Sequence, residues 1–175
     1  MRKFGIFSAT IFISIILAGF YGIIHDQITF TISREYFTKF KYIQFGFDPS
    51  QFGGDRQTVA VIGFLATWWT GIIIGIGLGI PGLIFYDHKK MPKAIKKAIG
   101  LISCVVILFG FIGFLYGKLS LIKTGVNWWL PNNLVDKNNF IIVGSIHNFS
   151  YLGGLIGLIA GIIYLIWLKN NMNAE

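Results

Sequence analysis

Long apolar runs separated by short polar stretches dominate the chain. Four segments, residues 4–24, 59–86, 98–117 and 140–168, contain no Asp, Glu, Lys or Arg. Each reaches about the 20 residues that a helix needs to cross the hydrocarbon core of a bilayer. The pattern therefore predicts an all-α membrane protein, a bundle of four transmembrane helices that forms one domain over residues 1–175.

The polar stretches between these spans predict the orientation of the chain. Residues 87–97 connect the second and third spans and hold five lysines: Lys89, Lys90, Lys93, Lys96 and Lys97. Basic residues crowded next to membrane spans stay in the cytoplasm. We therefore expect a multi-pass protein of the bacterial inner membrane with a cytoplasmic loop 87–97, external loops 26–58 and 118–139, and both termini in the cytoplasm.

The first external loop carries a different periodicity. Ile28, Phe30 and Ile32 alternate with polar residues, which is typical of a half-buried strand. Ser33 follows as a candidate N-cap for a short turn, and the alternation resumes at residues 39–42. The pattern predicts a small β-containing cap on the extracytoplasmic side of the bundle.

Small residues recur at helical spacing within the spans. In the fourth span, His147 and Ser150 share one face with Gly154, Gly157 and Gly161. The second span has a comparable stripe of glycines. Because lipid gives no hydrophobic drive for helix association, small residues that permit close backbone approach favour helix contacts. We expect these stripes to face the interior of the bundle.

Composition and charge agree with this class. Hydrophobic residues make up 54% of the chain and charged residues 13%, far below the roughly 25% that is usual in soluble domains. The single cysteine excludes an intramolecular disulfide and a CxxC motif. The net charge of +8 is explained mainly by the lysines next to the membrane, so we expect the lipid bilayer, and not a nucleic acid, as partner. The same lysines are candidate contacts for anionic lipid headgroups, although a role in topology alone explains them more simply.

Two histidines are the most informative polar residues. His147 is the one ionisable side chain of the His, acid or basic type within the four predicted spans, and His25 ends the first span, so both lie toward the external side. The candidate polar site comprises His25, Asp26, Gln27, Glu35, His147, Asn148 and Tyr151. The alternative is that His147 only bonds a neighbouring helix, which buried polar groups in membranes also do.

The residues of the first loop also carry a resemblance. His25-Asp26-Gln27, Thr29 and the run Glu35-Tyr36-Phe37-Thr38 resemble a signature of short, uncharacterised bacterial membrane proteins, and residues 147–154 echo it more weakly. The resemblance implies that the two stretches form one site. It implies no activity, because the function of that group is unknown.

Several chemistries stay open at this site. His25 and His147 could bind a metal ion with an acid beside them, or ligate a haem axially, although a depth difference of about 10 Å makes haem awkward. Hydrolysis at Ser145 or Ser150, or acid-base chemistry on a lipid, lacks a recognised motif. The sequence favours a binding or accessory module, alone, as a homo-oligomer or with a membrane-protein partner. A metal- or haem-binding protein or enzyme is the alternative.

Overall fold

A computed structural model describes residues 1–172 of the chain. Its helices, in chain order, are α1 (Arg2–Ile32), α2 (Arg34–Tyr36), α3 (Tyr42–Phe45), α4 (Asp55–Phe85), α5 (Met91–Tyr116), α6 (Ile122–Thr124) and α7 (Lys137–Met172). Two π-helical turns, Phe37–Lys41 and Gly117–Leu121, and a 3₁₀ turn, Pro49–Phe52, lie between them. The described residues are thus mostly helical, and the longest segment without a helix is residues 125–136.

Four of these helices are long and apolar enough to cross a membrane, which confirms the predicted multi-pass bundle. Helices α1 and α4 have 31 residues each, or about 46 Å at 1.5 Å per residue, which exceeds the roughly 30 Å of a hydrocarbon core. Each long helix therefore extends beyond the charge-free run from which it was predicted. Helix α1, for example, continues past residue 24 to Ile32.

The first helix pair, α1 with α4, is held together by glycines. A Cβ atom added to Gly22 would lie 2.1 Å from the backbone oxygen of Gly63, and one added to Gly63 would lie 2.4 Å from the oxygen of Gly22. At Gly71, an added Cβ would lie 2.4 Å from the backbone oxygen of Ser14. The two backbones are close enough that only glycine fits at these positions, as the small-residue stripe predicted.

The second pair, α5 with α7, is also held together by glycine at close backbone contacts. An added Cβ at Gly113 would lie 2.8 Å from the backbone oxygen of Ser145, and the Ser145 hydroxyl donates a hydrogen bond of 2.8 Å to the carbonyl of Gly113. Contacts between the two pairs are fewer and are made mainly by α4 with α7. The bundle therefore consists of two tight helix pairs with a looser boundary between them.

The predicted β cap is wrong: among residues 1–172 there is no strand. Residues 28–32 continue α1, where the hydroxyls of Thr29 and Thr31 donate hydrogen bonds to the carbonyls four residues earlier. These bonds satisfy the threonine hydroxyls within the helix. In addition, Asp26, Thr29 and Phe30 are buried at helical spacing. The alternation at residues 39–42 likewise lies in the π-helical turn and α3. Ser33 does cap α2, because its hydroxyl accepts a hydrogen bond from the Tyr36 amide.

Residues 33–54, between α1 and α4, form a helical cap at one end of the bundle, and the lysine-rich loop 87–97 lies at the opposite end. The cap packs its aromatic side chains against the start of α4 and of α7 in one buried cluster: Phe30, Tyr36, Phe37, Tyr42, Val59, Ile62, Phe140 and Val143. At the other end, the Lys3 ammonium donates a hydrogen bond to the carbonyl of Leu83, beside the turn that leads into α5. His25, Asp26 and His147 lie directly below the cap, where Tyr36 stacks on His147.

Candidate functional site

Helices α1 and α7 bring His25, Asp26 and His147 together. Asp26 Oδ1 lies 3.0 Å from His25 Nδ1 and 3.2 Å from His147 Nε2. Nitrogen and oxygen atoms from all three side chains lie within 4.8 Å of one another. We call these three residues the His-Asp-His cluster. It joins the two helix pairs at the cap end of their boundary.

The imidazole rings of the cluster touch each other. Their centroids are 4.6 Å apart and their planes are nearly perpendicular, at 88°. The depth difference of about 10 Å predicted from the sequence is wrong, because that prediction placed His25 at the outer end of the first span, whereas α1 continues to Ile32. A haem held axially between the two rings does not fit this arrangement, because the contact leaves no space for a macrocycle.

Hydrogen bonds fix the proton positions on the His147 ring. Its Nδ1 lies 2.9 Å from the carbonyl oxygen of Val143, one turn earlier in α7. A carbonyl can only accept, so Nδ1 carries a proton, and in a neutral imidazole Nε2 then presents its lone pair. That lone pair points at the carboxylate of Asp26. Two acceptors therefore face each other unless a proton or another cation lies between them.

Neighbouring side chains hold the two rings in place. Ser150 Oγ lies 3.2 Å from His25 Nε2, and the Tyr21 ring packs at 5.4 Å from the His25 ring. On the other side, Tyr36 from the cap stacks on His147 with centroids 4.8 Å apart and an interplanar angle of 28°. The cluster is therefore oriented by α1, α7 and the cap together.

One oxygen of the cluster has no partner among residues 1–172. Asp26 is 3% exposed, and its Oδ2 atom is buried without a hydrogen bond while Oδ1 contacts both histidines. A buried carboxylate oxygen without a donor is costly in a protein interior and more so at membrane depth. The unpaired oxygen is the feature that most clearly distinguishes the cluster from an ordinary packing contact.

A cavity of about 350 Å³ extends from the cluster along the boundary between the helix pairs. Its walls are mostly apolar and come from all four long helices, and the cluster, Tyr21, Ser150 and Tyr151 form part of its polar lining. Volumes from about 300 Å³ upward are usual for small-molecule sites. The arrangement combines apolar walls with a few convergent polar groups.

The other residues of the predicted site lie in different places. Tyr151 lines the cavity, whereas Gln27 exchanges hydrogen bonds with Arg56 on the outer face of α1 and α4. Asn148 is exposed on α7 and lines a second, more polar cavity with Trp128 and Ser145. Gln27 therefore links α1 to α4 and Asn148 borders the second cavity, but neither side chain contacts the His-Asp-His cluster.

Glu35 fastens the cap to the start of α7. Its carboxylate pairs with Lys39 at 2.5 Å and accepts hydrogen bonds from the backbone amides of Val135 and Asp136. The Lys39 ammonium, followed by these two amides, lowers the pKa of Glu35 to about 2. Glu35 is therefore ionised at neutral pH and holds the cap in position without contacting the cluster.

The predicted lipid contacts lie at the far end of the bundle. Lys89 and Lys90 precede α5, and Lys93, Lys96 and Lys97 lie in its first turns, all with exposed side chains. Pairing with the backbone amides of Lys90 and Lys89 lowers the pKa of the neighbouring Asp87. The lysines are free to meet lipid headgroups, but they take no part in the cluster.

Ser150, His25 and Asp26 also form a hydrogen-bonded series in the order nucleophile, base and acid. Acyl transfer further requires donors for the oxyanion, usually free backbone amides. Ser150 lies in the middle of α7, where backbone amides are committed to helical hydrogen bonds. Two imidazoles and a carboxylate that converge on one point fit the binding of a ligand or cation better than they fit acyl transfer by Ser150.

Sequence reasoning did not assign Tyr36, Ser150 or Tyr21 to the site. Ser150 was expected on the same helical face as His147 and was considered as a nucleophile, but it was not included among the seven residues of the candidate polar site. Tyr36 belongs to the Glu35–Thr38 run of the resemblance, but no pattern in the chain indicated its stacking on His147, which depends on the path of the cap.

No protein-family model matches the chain, and no curated protein or solved structure is similar enough to be matched to it. The resemblance of the His25–Thr38 pattern to short bacterial membrane proteins therefore stays a prediction.

Proposed function

We propose that the protein is a membrane-embedded binding protein that takes a small amphipathic molecule between its two helix pairs. The observation that carries this proposal is the cavity of about 350 Å³ whose polar end is the His-Asp-His cluster. The polar group of the ligand would meet the cluster, and its apolar part would lie along the cavity walls.

The unpaired polar atoms favour a ligand over simple helix packing. Ser14 Oγ and Asp26 Oδ2 are both buried without a hydrogen-bond partner in residues 1–172, and both residues line the cavity. Packing contacts between helices normally satisfy the groups they bury. A ligand that brings a hydroxyl donor to Asp26 would complete the network.

The side chains around the cavity indicate how a ligand would enter. Leu17, Trp69, Ile73 and Leu155 line the cavity and are also 45–58% exposed on the outside of the bundle. The outer surface of a membrane bundle at this depth meets lipid. We therefore propose entry from the bilayer, which selects for a lipid-soluble ligand.

A leucine at position 154 tests the cavity directly. A Cβ atom at Gly154 would meet no atom within 4 Å, and Gly154 lines the cavity, so Gly154→Leu should fill the site without disturbing helix contacts. As probe, a diazirine-bearing long-chain alcohol supplies a hydroxyl and an apolar chain. In lipid vesicles it should label the α1 and α7 segments that line the cavity in the wild type, and Gly154→Leu should reduce that labelling about tenfold.

Gly100→Leu is the matched control. Gly100 also has no atom within 4 Å of an added Cβ, but it is exposed on α5 and does not line the cavity. Its labelling should equal that of the wild type, and unlabelled alcohol should compete in both proteins. Equal labelling of the cavity segments in Gly154→Leu and Gly100→Leu would argue against the proposed site.

We also propose that the cap lies outside the cytoplasm of a bacterial cell, with both termini inside. The support is that the exposed lysines of residues 89–97 lie at the end opposite the cap, together with the N-terminus. On this orientation the His-Asp-His cluster lies in the outer half of the membrane.

A pair of reporter fusions tests this orientation. An enzyme that is active only outside the cytoplasm should work when fused after Gln51, in the cap, and fail when fused after Lys93, at the start of α5. A cytoplasm-specific reporter at the same two positions provides the control and should give the opposite pattern. Activity of the first reporter at Lys93 alone would reverse the proposed orientation.

A further inference from the structure

We infer that the His-Asp-His cluster binds one divalent transition-metal ion of the zinc or iron(II) type. The inference names a cofactor for the site of the proposed function and takes its biological role from that function. Metal binding is measured without any amphipathic ligand, so the inference and the proposed function can fail separately.

The ligand atoms are already close to the spacing that a metal ion needs. Zinc–nitrogen and zinc–oxygen bonds of about 2.0 Å in a tetrahedral site separate the ligand atoms by about 3.3 Å. Asp26 Oδ1 lies 3.0 Å from His25 Nδ1 and 3.2 Å from His147 Nε2. One ligand atom from each of the three residues lies within 4.8 Å of the other two. Small side-chain rotations would open room for the ion between them.

The proton on His147 is on the nitrogen that a metal ligand would keep protonated. Nδ1–H donates to the carbonyl of Val143, which leaves the Nε2 lone pair directed into the cluster. Metal-binding histidines usually donate the second ring nitrogen to a carbonyl or carboxylate in this way. An ion at this point would take the place of the proton that otherwise has to lie between Nε2 and the carboxylate, and would bind both.

His25 can be arranged in the same manner. When Nδ1 binds the ion, the Nε2 atom carries the proton and donates to Ser150 Oγ, 3.2 Å away. The stacking of Tyr36 on His147 and of Tyr21 beside His25 restrains both rings. Each histidine therefore has a hydrogen-bonding partner behind it that sets its orientation.

The unpaired Asp26 Oδ2 is an independent observation that points to a cation. The carboxylate is 3% exposed, and among residues 1–172 that oxygen receives no hydrogen bond. A divalent ion bound by the carboxylate would compensate its charge at this depth. Two histidines and one carboxylate with an open position suit catalytic zinc or non-haem iron(II), and here the cavity provides that position.

The test uses tag-free full-length protein in mild detergent with Co²⁺ as the probe. After equilibration with Co²⁺ and removal of free ion, the wild type should retain one ion per chain and show the visible absorption of a protein-bound Co²⁺ site. Zn²⁺ should displace it stoichiometrically. Failure of the wild type to retain a stoichiometric ion would overturn the inference, whatever the photolabelling experiment gives.

Variants assign the ion to the cluster. His147→Gln and Asp26→Asn keep side-chain volume and hydrogen-bonding capacity but remove a ligand, so both should lose stoichiometric binding. Ser150→Ala removes only the partner of His25 and should weaken binding about tenfold. Helical circular dichroism and a cooperative melting transition check that each variant is folded.

His88→Ala is the matched control, because His88 is the third histidine and lies in the turn before α5, at the opposite end of the bundle. It should retain the ion with unchanged affinity. Undiminished Co²⁺ binding by folded His147→Gln and Asp26→Asn would show that the ion binds elsewhere and would reject the cluster as its site.

Discussion

Replacing Gly22 by leucine is expected to lower the free energy of unfolding by about 3 kcal/mol, because the side chain cannot fit between α1 and α4. Even a Cβ atom there would lie 2.1 Å from the backbone oxygen of Gly63 and 2.2 Å from Thr67 Oγ1. Thr67 also donates a hydrogen bond to the carbonyl of Ala18 across the same contact. Separation of the two helices would therefore remove packing and a hydrogen bond together. Thermal and denaturant-induced unfolding in detergent measure the loss.

Gly22→Ala should already show most of this effect, since the first added carbon makes the clash. Gly100→Leu and Gly5→Leu supply controls, because an added Cβ at either position meets nothing within 4 Å. Both controls should unfold within about 0.5 kcal/mol of the wild type, as is usual for surface substitutions. A wild-type melting profile for Gly22→Leu would contradict the close α1–α4 contact.

The second large effect is expected at the cluster. His25→Ala and His147→Ala should each lower the free energy of unfolding by about 2 kcal/mol, because each removes one of the two partners of a buried carboxylate. The double variant should cost about 1 kcal/mol less than the sum of the single variants. The reason is that both histidines contact the same atom, Asp26 Oδ1. Unfolding experiments on the four proteins at one pH complete the cycle.

His147→Gln tests whether hydrogen bonding alone accounts for the role of His147 or whether the imidazole ring itself is required. An amide retains a hydrogen-bonding group, and such bonds in membranes contribute only about 0.6 kcal/mol on average. We therefore expect His147→Gln to be more stable than His147→Ala. In a cell-based assay of the phenotype that deletion of the gene produces, both variants should be equally defective at normal protein levels. In the unfolding experiments, strict additivity of the effects of His25→Ala and His147→Ala on the free energy of unfolding would contradict a shared contact.

The helical architecture could be predicted from sequence because it depends on local composition. Charge-free runs and glycine stripes are visible along the chain, and the structure gives four long helices with Gly71 and Gly113 at close contacts. The cap could not be predicted in the same way. Alternating polar and apolar residues are typical of a strand, but they also occur in a helix whose threonine hydroxyls donate hydrogen bonds to carbonyls four residues earlier. Thr29 and Thr31 bond in this way.

The site was predictable in its members more than in its geometry. His25, Asp26, His147 and Tyr151 were identified from their unusual position in or beside apolar spans, and they line one cavity. Their convergence could not be derived, because a rule that ends a span at the first charge leaves Asp26 outside it. In the folded protein the two histidines contact that carboxylate, and it lies within helix α1. His147 and Asp26 are 121 residues apart in the chain, and a local sequence pattern carries no information about such a contact.

The division of the bundle into two helix pairs has a consequence for biogenesis. Asp26 belongs to α1, which leaves the ribosome before α7, the helix that carries its partner His147. An acidic residue in an inserting helix costs up to about 3 kcal/mol at the helix centre on the scale of translocon-mediated insertion, and Asp26 lies nearer the C-terminal end of α1. During synthesis, α1 and α4 can associate through Gly22 and Gly63 while Asp26 still has only His25 beside it. Arrival of α7 then supplies His147 as the second partner of this carboxylate, so the cluster forms only when both α1 and α7 are in place.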